Sequence, residues 1–335
     1  MSIKTAIETV SSGHDLDAFE AEKALEEIMQ GKVSDINIAA FLIALRTKGE
    51  TTDELVGLAS AMRKLGKQID LGKGLLDTAG TGGGQQTFNV STAAALIAAG
   101  AGAKIAKHGN RSYTTSSGSA DVLEALGAKL ELDETKLKEA IQKTGFVFLF
   151  APYYYAAAKY VAPARHELGI KTVFNLLGPL CNPASAEYQV IGVSDIKYSK
   201  QIAQTLARLG TTRTLVVSSV DGLDEISVSA PTIIWQVDKT AIQEYLFDPQ
   251  DLGLQNVDIK ELQGGSPQDN ARIIKQILEG ETSAKTDMAC VNAGAALYAA
   301  HCVPSIKEGY LLARETVTSG KANQVLNSYI ELSNS

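Results

Sequence analysis

Near residue 70 the hydrophobic period of this 335-residue chain changes, and the change divides what it can fold into. Before it, apolar residues recur at helical spacing in three successive segments. "DAFEAEKALEEIMQG" ends at Gly31, a residue type suited to the position just past a helix. "VSDINIAAFLIALRTKGE" offers Ser34 as N-cap and closes near Gly49. "TTDELVGLASAMRKLG" opens with a Thr cap and early acids and stops at Gly66. No strand pattern separates them, so residues 1–70 are predicted to form a small helical domain. Beyond residue 70 the pattern alternates. Strands are expected at 75–79, 104–106, 188–193 and 214–219, with helices at 90–100, 121–127 and 199–210. Such alternation predicts an α/β domain with a mostly parallel central sheet over 71–162 and 186–335. "PTIIWQV" and "IQEYLF" predict a hairpin-like excursion, Ser266 and Pro267 the start of a helix, and the tail is helical to about Glu331. The proline-rich stretch "PARHELGIKTVFNLLGPLCNP" interrupts the strand-rich parts, and residues of about 163–185 are expected to cross back to the helical domain.

Composition narrows the function classes. A net charge of −7 argues against a general nucleic-acid binder, which needs a basic face. Cys181, Cys290 and Cys302 are scattered and odd in number, which disfavours a disulfide framework or a thiolate zinc site and fits a reducing compartment. The first residues lack the apolar core of a signal peptide, and the longest apolar run, 93–103, is too short to cross a bilayer. The expectation is a cytoplasmic protein without a membrane partner.

Three loops carry the chemistry. "GTGGGQQTFNVST", residues 80–92, lies between an expected strand and helix, where an open α/β sheet binds ligands. Glycines let backbone N–H groups approach phosphate, and the helix start adds its positive end. Asn89, Ser91 and Thr92 either cap that helix or donate to an anion. The loop is not a P-loop, because no G-K-[ST] follows, and it lacks the spacing of a dinucleotide fingerprint. "KHGNRSYTTSSGSAD" then places Lys107, His108, Asn110 and Arg111 within five residues, followed by seven hydroxyl side chains. That density suits a polyanion, with His108 more naturally neutral and donating a hydrogen bond. In "DGLDEIS", Asp224 and Glu225 are adjacent carboxylates after a strand, either hard-oxygen ligands for Mg²⁺ shared with substrate phosphates or capping acids of a turn. Arg165, beside the prolines, is either a carboxylate clamp or a surface helix residue.

In order, G-T-G-G…T-F-N-V-S-T, K-H-G-N-R…S-G-S-A-D-V-L-E-A-L-G, F-L-F-A-P, R-x-E-L-G-x-x-T-V-F-N-L-L-G-P-L-x-N-P and G-x-D-E closely resemble the anthranilate phosphoribosyltransferase family over nearly the whole chain. The resemblance implies a nucleoside phosphorylase/phosphoribosyltransferase-type fold, usually a homodimer paired through the helical domains. It implies transfer of phosphoribose from phosphoribosyl pyrophosphate (PRPP) to anthranilate with release of pyrophosphate, in tryptophan biosynthesis. Carried over by motif, Gly80, Gly83, Gly84, Thr87, Asn89, Ser91, Thr92, Lys107, His108, Gly109, Arg111, Thr115 and Ser119 would hold PRPP. Ser91, Asp224 and Glu225 would hold Mg²⁺, and Gly80, Asn110 and Arg165 would face anthranilate. Three positions depart from the family pattern. The glycine loop is one residue shorter, with Gly84 where an acid is expected; Ser116 stands at an often basic position; Tyr155 and Ala158 replace a His and a Met. The last pair touches the expected acceptor side and keeps open a different aromatic acceptor on the same fold.

Overall fold

A computed structural model of the protein describes residues 1–82, 84–112, 116–255 and 257–335. The N-terminal segment forms four helices, α1 (Ile3–Ser11), α2 (Ala18–Met29), α3 (Asp35–Lys48) and α4 (Thr52–Leu65). Each opens on a side-chain oxygen, from Ser2, Asp17, Ser34 and Thr51 in turn, that accepts a first-turn amide. Asp17 with Glu20, and Thr51 with Glu54, complete reciprocal capping boxes. The apolar faces bury Leu25, Ile28, Phe41, Leu42, Leu45, Leu55 and Leu58 among one another.

The rest of the chain builds one seven-stranded sheet from β1 (Leu75–Gly80), β2 (Lys104–Gly109), β3 (Phe146–Phe150), β4 (Tyr188–Gly192), β5 (Arg213–Ser219), β6 (Thr232–Asp238) and β7 (Ala241–Phe247). The order is β3-β2-β1-β4-β5-β6-β7. The first five strands are parallel, and the β6–β7 hairpin extends the sheet antiparallel at one edge. The chain winds outward from β1 through β2 and β3, then returns to lay β4 on the other side of β1. The parallel strands thus present their carboxyl ends along one edge, where open α/β sheets take ligands.

Helix α5 (Val90–Gly100) follows β1, and its small residues let it sink wholly into the core between β1, β2 and three C-terminal helices. Those three are α13 (Ala284–Ala299), α14 (Ile306–Thr318) and α15 (Lys321–Asn334), while α6 (Ser119–Leu126) packs against α12 (Pro267–Leu278). The connection from β3 to β4 holds three short helices, α8 (Ala151–Tyr154), α9 (Ala162–Leu168) and α10 (Val173–Leu177). Of these, α9 touches α3 and α10 touches α3 and α4. Helix α11 (Ser199–Arg208) lies between α4 and β5.

Two differences from the sequence expectation matter. Strand β3 and the preceding α7 (Glu134–Thr144) had no counterpart there, because "FVFLF" is a five-residue apolar run with no alternation, buried on both faces. Strand β2 also runs past residue 106 to Gly109. Lys107 and His108 are therefore strand residues that point to opposite faces, not members of a loop.

Candidate active site

A cleft of about 330 Å³ opens beyond the carboxyl ends of β1 and β2, with Asp224 and Glu225 of the 221–225 turn on its wall. Gly80, Gly84, Thr87, Asn89, Ser91, Lys107, His108, Gly109, Asn110, Arg111, Ser119, Arg165, Asp224 and Glu225 all line it. Residues from well-separated parts of the sequence thus meet in one place. Gly83 and Thr115 lie outside the described residues. Thr92 does not reach the cleft: one residue further into α5 than Ser91, it is fully buried, and its Oγ1 has no hydrogen-bond partner.

The acidic pair sits where two strand ends lack side chains. A Cβ on Gly192 would fall 1.6 Å from the Asp224 carbonyl oxygen, and one on Gly80 would fall 2.7 Å from Asp224 Oδ2. Only glycines at these ends let the 221–225 turn lie across β1 and β4. Asp224 Oδ2 accepts the Gly82 N–H at 3.0 Å. Its carboxyl is raised above the usual range, chiefly by burial, while that hydrogen bond and the Lys171 charge pull the other way. Glu225 is raised well above it, by burial first and then by repulsion from Asp224 and Asp221. Thr87 hydrogen-bonds the Glu225 carboxylate, yet its Oε2 is shut off from solvent with no partner. Two carboxylates pressed together with an unfilled acceptor form a donor set that a hard divalent cation would relieve. Among the described residues no group of three or more His, Cys, Asp or Glu side chains converges. The set therefore suits Mg²⁺ completed by a hydroxyl, water and ligand oxygens better than an all-protein cage.

Lys107 buries its ammonium at the base of the cleft, donating to the Thr78 carbonyl and, at 3.2 Å, to Ser91 Oγ. Burial lowers its pKa to about 8, against the pull of Asp77 and Glu225. On the other face of β2, burial lowers His108 to about 4, so the ring is neutral at pH 7; it meets the Gly178 carbonyl and leaves Nε2 without a partner. Asp77 braces this strand end: buried, it accepts the His108 N–H at 3.1 Å and the Asn182 side-chain amide at 2.8 Å. Ser119 Oγ covers Gly109, lying 2.1 Å from where a Cβ would be.

Two expected anion donors are otherwise engaged. Asn89 neither caps α5 nor points free into the cleft: its amide donates to the Ser117 carbonyl, and its oxygen accepts from Ser117 Oγ and the Asn270 amide. It fastens the glycine loop to the hydroxyl-rich loop and to the start of α12. Arg111 turns its guanidinium to Glu124 and Asp121, at 2.5 and 3.1 Å, so two acids already neutralise its charge. Arg165 stacks over the Phe174 ring at 5.3 Å and faces the cleft from the crossover segment.

The departures from the family pattern acquire physical reasons. A Cβ at Gly84 would stand 2.9 Å from the Gly222 carbonyl and 3.3 Å from Asp224 Oδ1, so the shortened loop leaves no room for an acid beside the acidic pair. Ser116 donates to the Gly265 carbonyl at 2.8 Å and ties the hydroxyl-rich loop to the segment before α12. Tyr155 and Ala158 are absent from the cleft wall. Tyr155 is buried behind His108, with ring centroids 5.6 Å apart, and donates to the Cys181 carbonyl at 2.7 Å. Sequence reasoning missed Asp77, Asn182, Asn270, Lys171 and Ser194. For Lys171 and Asn182 the one signal is their place in "GIKTVFNLLGPLCNP", the stretch expected to cross between domains; Asp77, Ser194 and Asn270 carry none.

A helical unit ahead of a mostly parallel sheet is the architecture of the glycosyl transferase family whose two models match this chain. Residues 4–66 match the glycosyl transferase family, helical bundle domain, and residues 72–323 the glycosyl transferase family, a/b domain. The chain is 44% identical to an anthranilate phosphoribosyltransferase of Dehalococcoides mccartyi, covering 99% of this chain and 98% of that one. It is 45% identical to one of Rubrobacter xylanophilus, covering 99% and 97%. It superposes on the crystal structure of the Thermus thermophilus enzyme of that name with a TM-score of 0.92 and 40% identity, covering 98% of this chain and 99% of that one. For the Saccharomyces cerevisiae enzyme in complex with PRPP and Mg, the TM-score is 0.91, with 28% identity and coverage of 99% and 98%. The chain belongs to the anthranilate phosphoribosyltransferase family.

Proposed function

We propose that the protein transfers the phosphoribosyl group of PRPP to the amine of anthranilate, releasing pyrophosphate and giving N-(5-phosphoribosyl)anthranilate, a step of tryptophan biosynthesis. One observation carries this reading: the glycine loop, Lys107 and the Asp224–Glu225 pair share one cleft in a chain of this family. Gly80, Gly84, Thr87, Ser91, Lys107, His108, Gly109 and Ser119 are assigned to PRPP, with Asn89 holding the loops around it. Asn110 and Arg165, with Gly80, are assigned to anthranilate, the Arg165 guanidinium taking its carboxylate. Ser91, Asp224 and Glu225 are assigned to Mg²⁺. Lining by Arg165 and Phe174, and the absence of Tyr155 and Ala158 from the wall, favour anthranilate over a different aromatic acceptor.

In the reaction the bond from ribose C1′ to the pyrophosphate oxygen breaks, the electron pair leaves with pyrophosphate, the amine nitrogen bonds to C1′, and the extra proton on that nitrogen then passes to the pyrophosphate or to water. Oxocarbenium character develops on the ribose, as in glycoside cleavage. Mg²⁺, when bound, supplies charge that stabilises the departing pyrophosphate. The Lys107 ammonium adds fixed positive potential at the base of the same cleft. An aryl amine is already a free nucleophile, so no side chain has to deprotonate it first. Most of the rate enhancement is positioning and leaving-group electrostatics.

Residues 163–185 are assigned to the helical domain, supported by α9 and α10 against α3 and α4, and by Arg63 Nε donating to the Leu180 carbonyl at 2.8 Å. A homodimer through the helical domain is supported by an apolar line on α3, with Ile36 81% exposed and Ala40 exposed beside it. No described helix is long and apolar enough to cross a membrane. The three cysteines are free thiols, which supports a cytoplasmic location. The deciding experiment incubates purified protein with Mg²⁺, PRPP and anthranilate. Anthranilate fluorescence should fall with one pyrophosphate released per anthranilate consumed. Persistence of the fluorescence would sink the reading.

A further inference from the structure

The glycine loop is held from behind as well as opened toward the cleft. The Thr81 N–H donates to the Gly192 carbonyl at 2.8 Å, and the Ser194 N–H donates to Thr81 Oγ1 at 3.3 Å. Gly82 is then fixed at both of its polar groups. Its N–H goes to Asp224 Oδ2 at 3.0 Å, and its carbonyl accepts from Ser194 Oγ at 3.0 Å and from Lys171 Nζ at 3.2 Å. Lys171 Nζ also reaches Ser194 Oγ at 3.3 Å, so lysine, serine and carbonyl form a closed triangle. Gly82 sits at φ +67°, a left-handed conformation that glycine adopts without steric cost. Lys171 itself lies between α9 and α10, and its own carbonyl accepts from Arg46 of α3. It lines a second pocket of about 170 Å³ that shares Thr81 and Gly82 with the cleft, and it is absent from the cleft wall.

We propose that Lys171 is a positioning residue: by clamping the Gly82 carbonyl it fixes the Gly82 amide and, through it, the Asp224 carboxylate, and so sets the affinity for Mg²⁺·PRPP without touching it. The inference rests on the function proposed above. A charge-assisted hydrogen bond to a carbonyl is among the stronger single contacts, so its loss should be visible in binding.

The test measures calorimetric binding of Mg²⁺·PRPP in the absence of anthranilate, together with the anthranilate KM and the melting temperature of ligand-free protein. Lys171→Met should bind Mg²⁺·PRPP roughly tenfold or more weakly. Its anthranilate KM at saturating PRPP and its ligand-free melting temperature should stay near those of the wild type, and Lys171→Arg should recover most of the affinity. Ser194→Ala removes the other donor on the same carbonyl and should weaken binding severalfold in the same direction, which keeps the test open if Lys171→Met does not fold. Wild-type affinity in both variants overturns the inference, as does an anthranilate KM that rises in step with the loss of PRPP affinity. If the wild type itself binds no Mg²⁺·PRPP, the proposed function fails and takes this inference with it. If only the variants behave as wild type, the inference fails alone.

Discussion

Lys107 and His108 are neighbours in sequence on opposite faces of β2, and the sheet gives them opposite protonation at pH 7. Both are lowered by burial, but Lys107 starts from 10.5 and falls to about 8, whereas His108 starts from 6.5 and falls to about 4. An ammonium held at about 8 by desolvation regains affinity for its proton when a pyrophosphate anion is bound nearby, because opposite charge favours the charged form. Binding of Mg²⁺·PRPP is therefore expected to take up protons between about pH 8 and 10, and affinity should fall as pH rises through that window. Calorimetry at about pH 8.5, inside that window, in two buffers of different ionisation enthalpy checks this; equal heats, or uptake that persists in Lys107→Met, would contradict it. The residues readable from sequence were those whose type announces its chemistry: a run of glycines, an adjacent Asp and Glu, an Arg beside prolines. Lys171 gave no such signal, because its role is set by a carbonyl 89 residues away. Arg111 lines the cleft as expected, but its pairing was not legible: Glu124, in the helix that follows, claims charge that composition alone would leave available.

Among the elements, the helices were legible wherever capping and periodicity agreed. β3 was not, since a short run buried on both faces looks alike as helix or strand. The contact between α2 and α4 gives an element-level prediction. An alanine in a helix interior ordinarily stabilises relative to glycine by about 1 kcal/mol. At Gly57, however, a Cβ would lie 2.0 Å from the Ala18 carbonyl oxygen and 2.9 Å from the Ala21 Cβ, and backbone cannot move aside cheaply. Gly57→Ala is therefore expected to destabilise the protein, by about 1–3 kcal/mol as overpacked cores do. Urea unfolding measures it. A gain in stability would mean that the two helices are not packed this closely.

For the whole molecule, α3 carries the most exposed large apolar side chain among the described residues. It buries Ile38, Phe41, Leu42 and Leu45 inside the chain, yet carries Ile36 and Ala40 on its outer side. A large aliphatic side chain 81% exposed beside further apolar surface is the kind of patch that a second copy covers. Ile36→Asp places an acid in the first turn of α3, where a helix favours it, and removes little packing within the chain. Light scattering should give twice 35.5 kDa for the wild type and a shift toward 35.5 kDa for the variant at low micromolar concentration. The variant should keep its turnover, because the cleft is built within one chain. A wild type that runs as a monomer would remove the basis for the dimer.

Local physics determined a good deal from sequence alone. Periodicity separated a helical start from an alternating α/β body, glycine and capping residues marked where elements end, and the ordered motifs identified the family. Tertiary structure decided what those motifs touch. It set the strand order that brings the ends of β1 and β2 under one cleft, the extension of β2 to Gly109 that buries Lys107, and the partners that engage Asn89 and Arg111. It also brought the crossover segment behind the glycine loop. The reason is range: caps and periodicity act over a few residues, whereas the desolvation and hydrogen bonds that give Lys107, Glu225 and Lys171 their properties come from strands and turns far apart in the chain. The glycine loop itself combines both. Its composition is written in the sequence, but Thr81 and Gly82 take their places because Gly192, Ser194, Lys171 and Asp224 hold them.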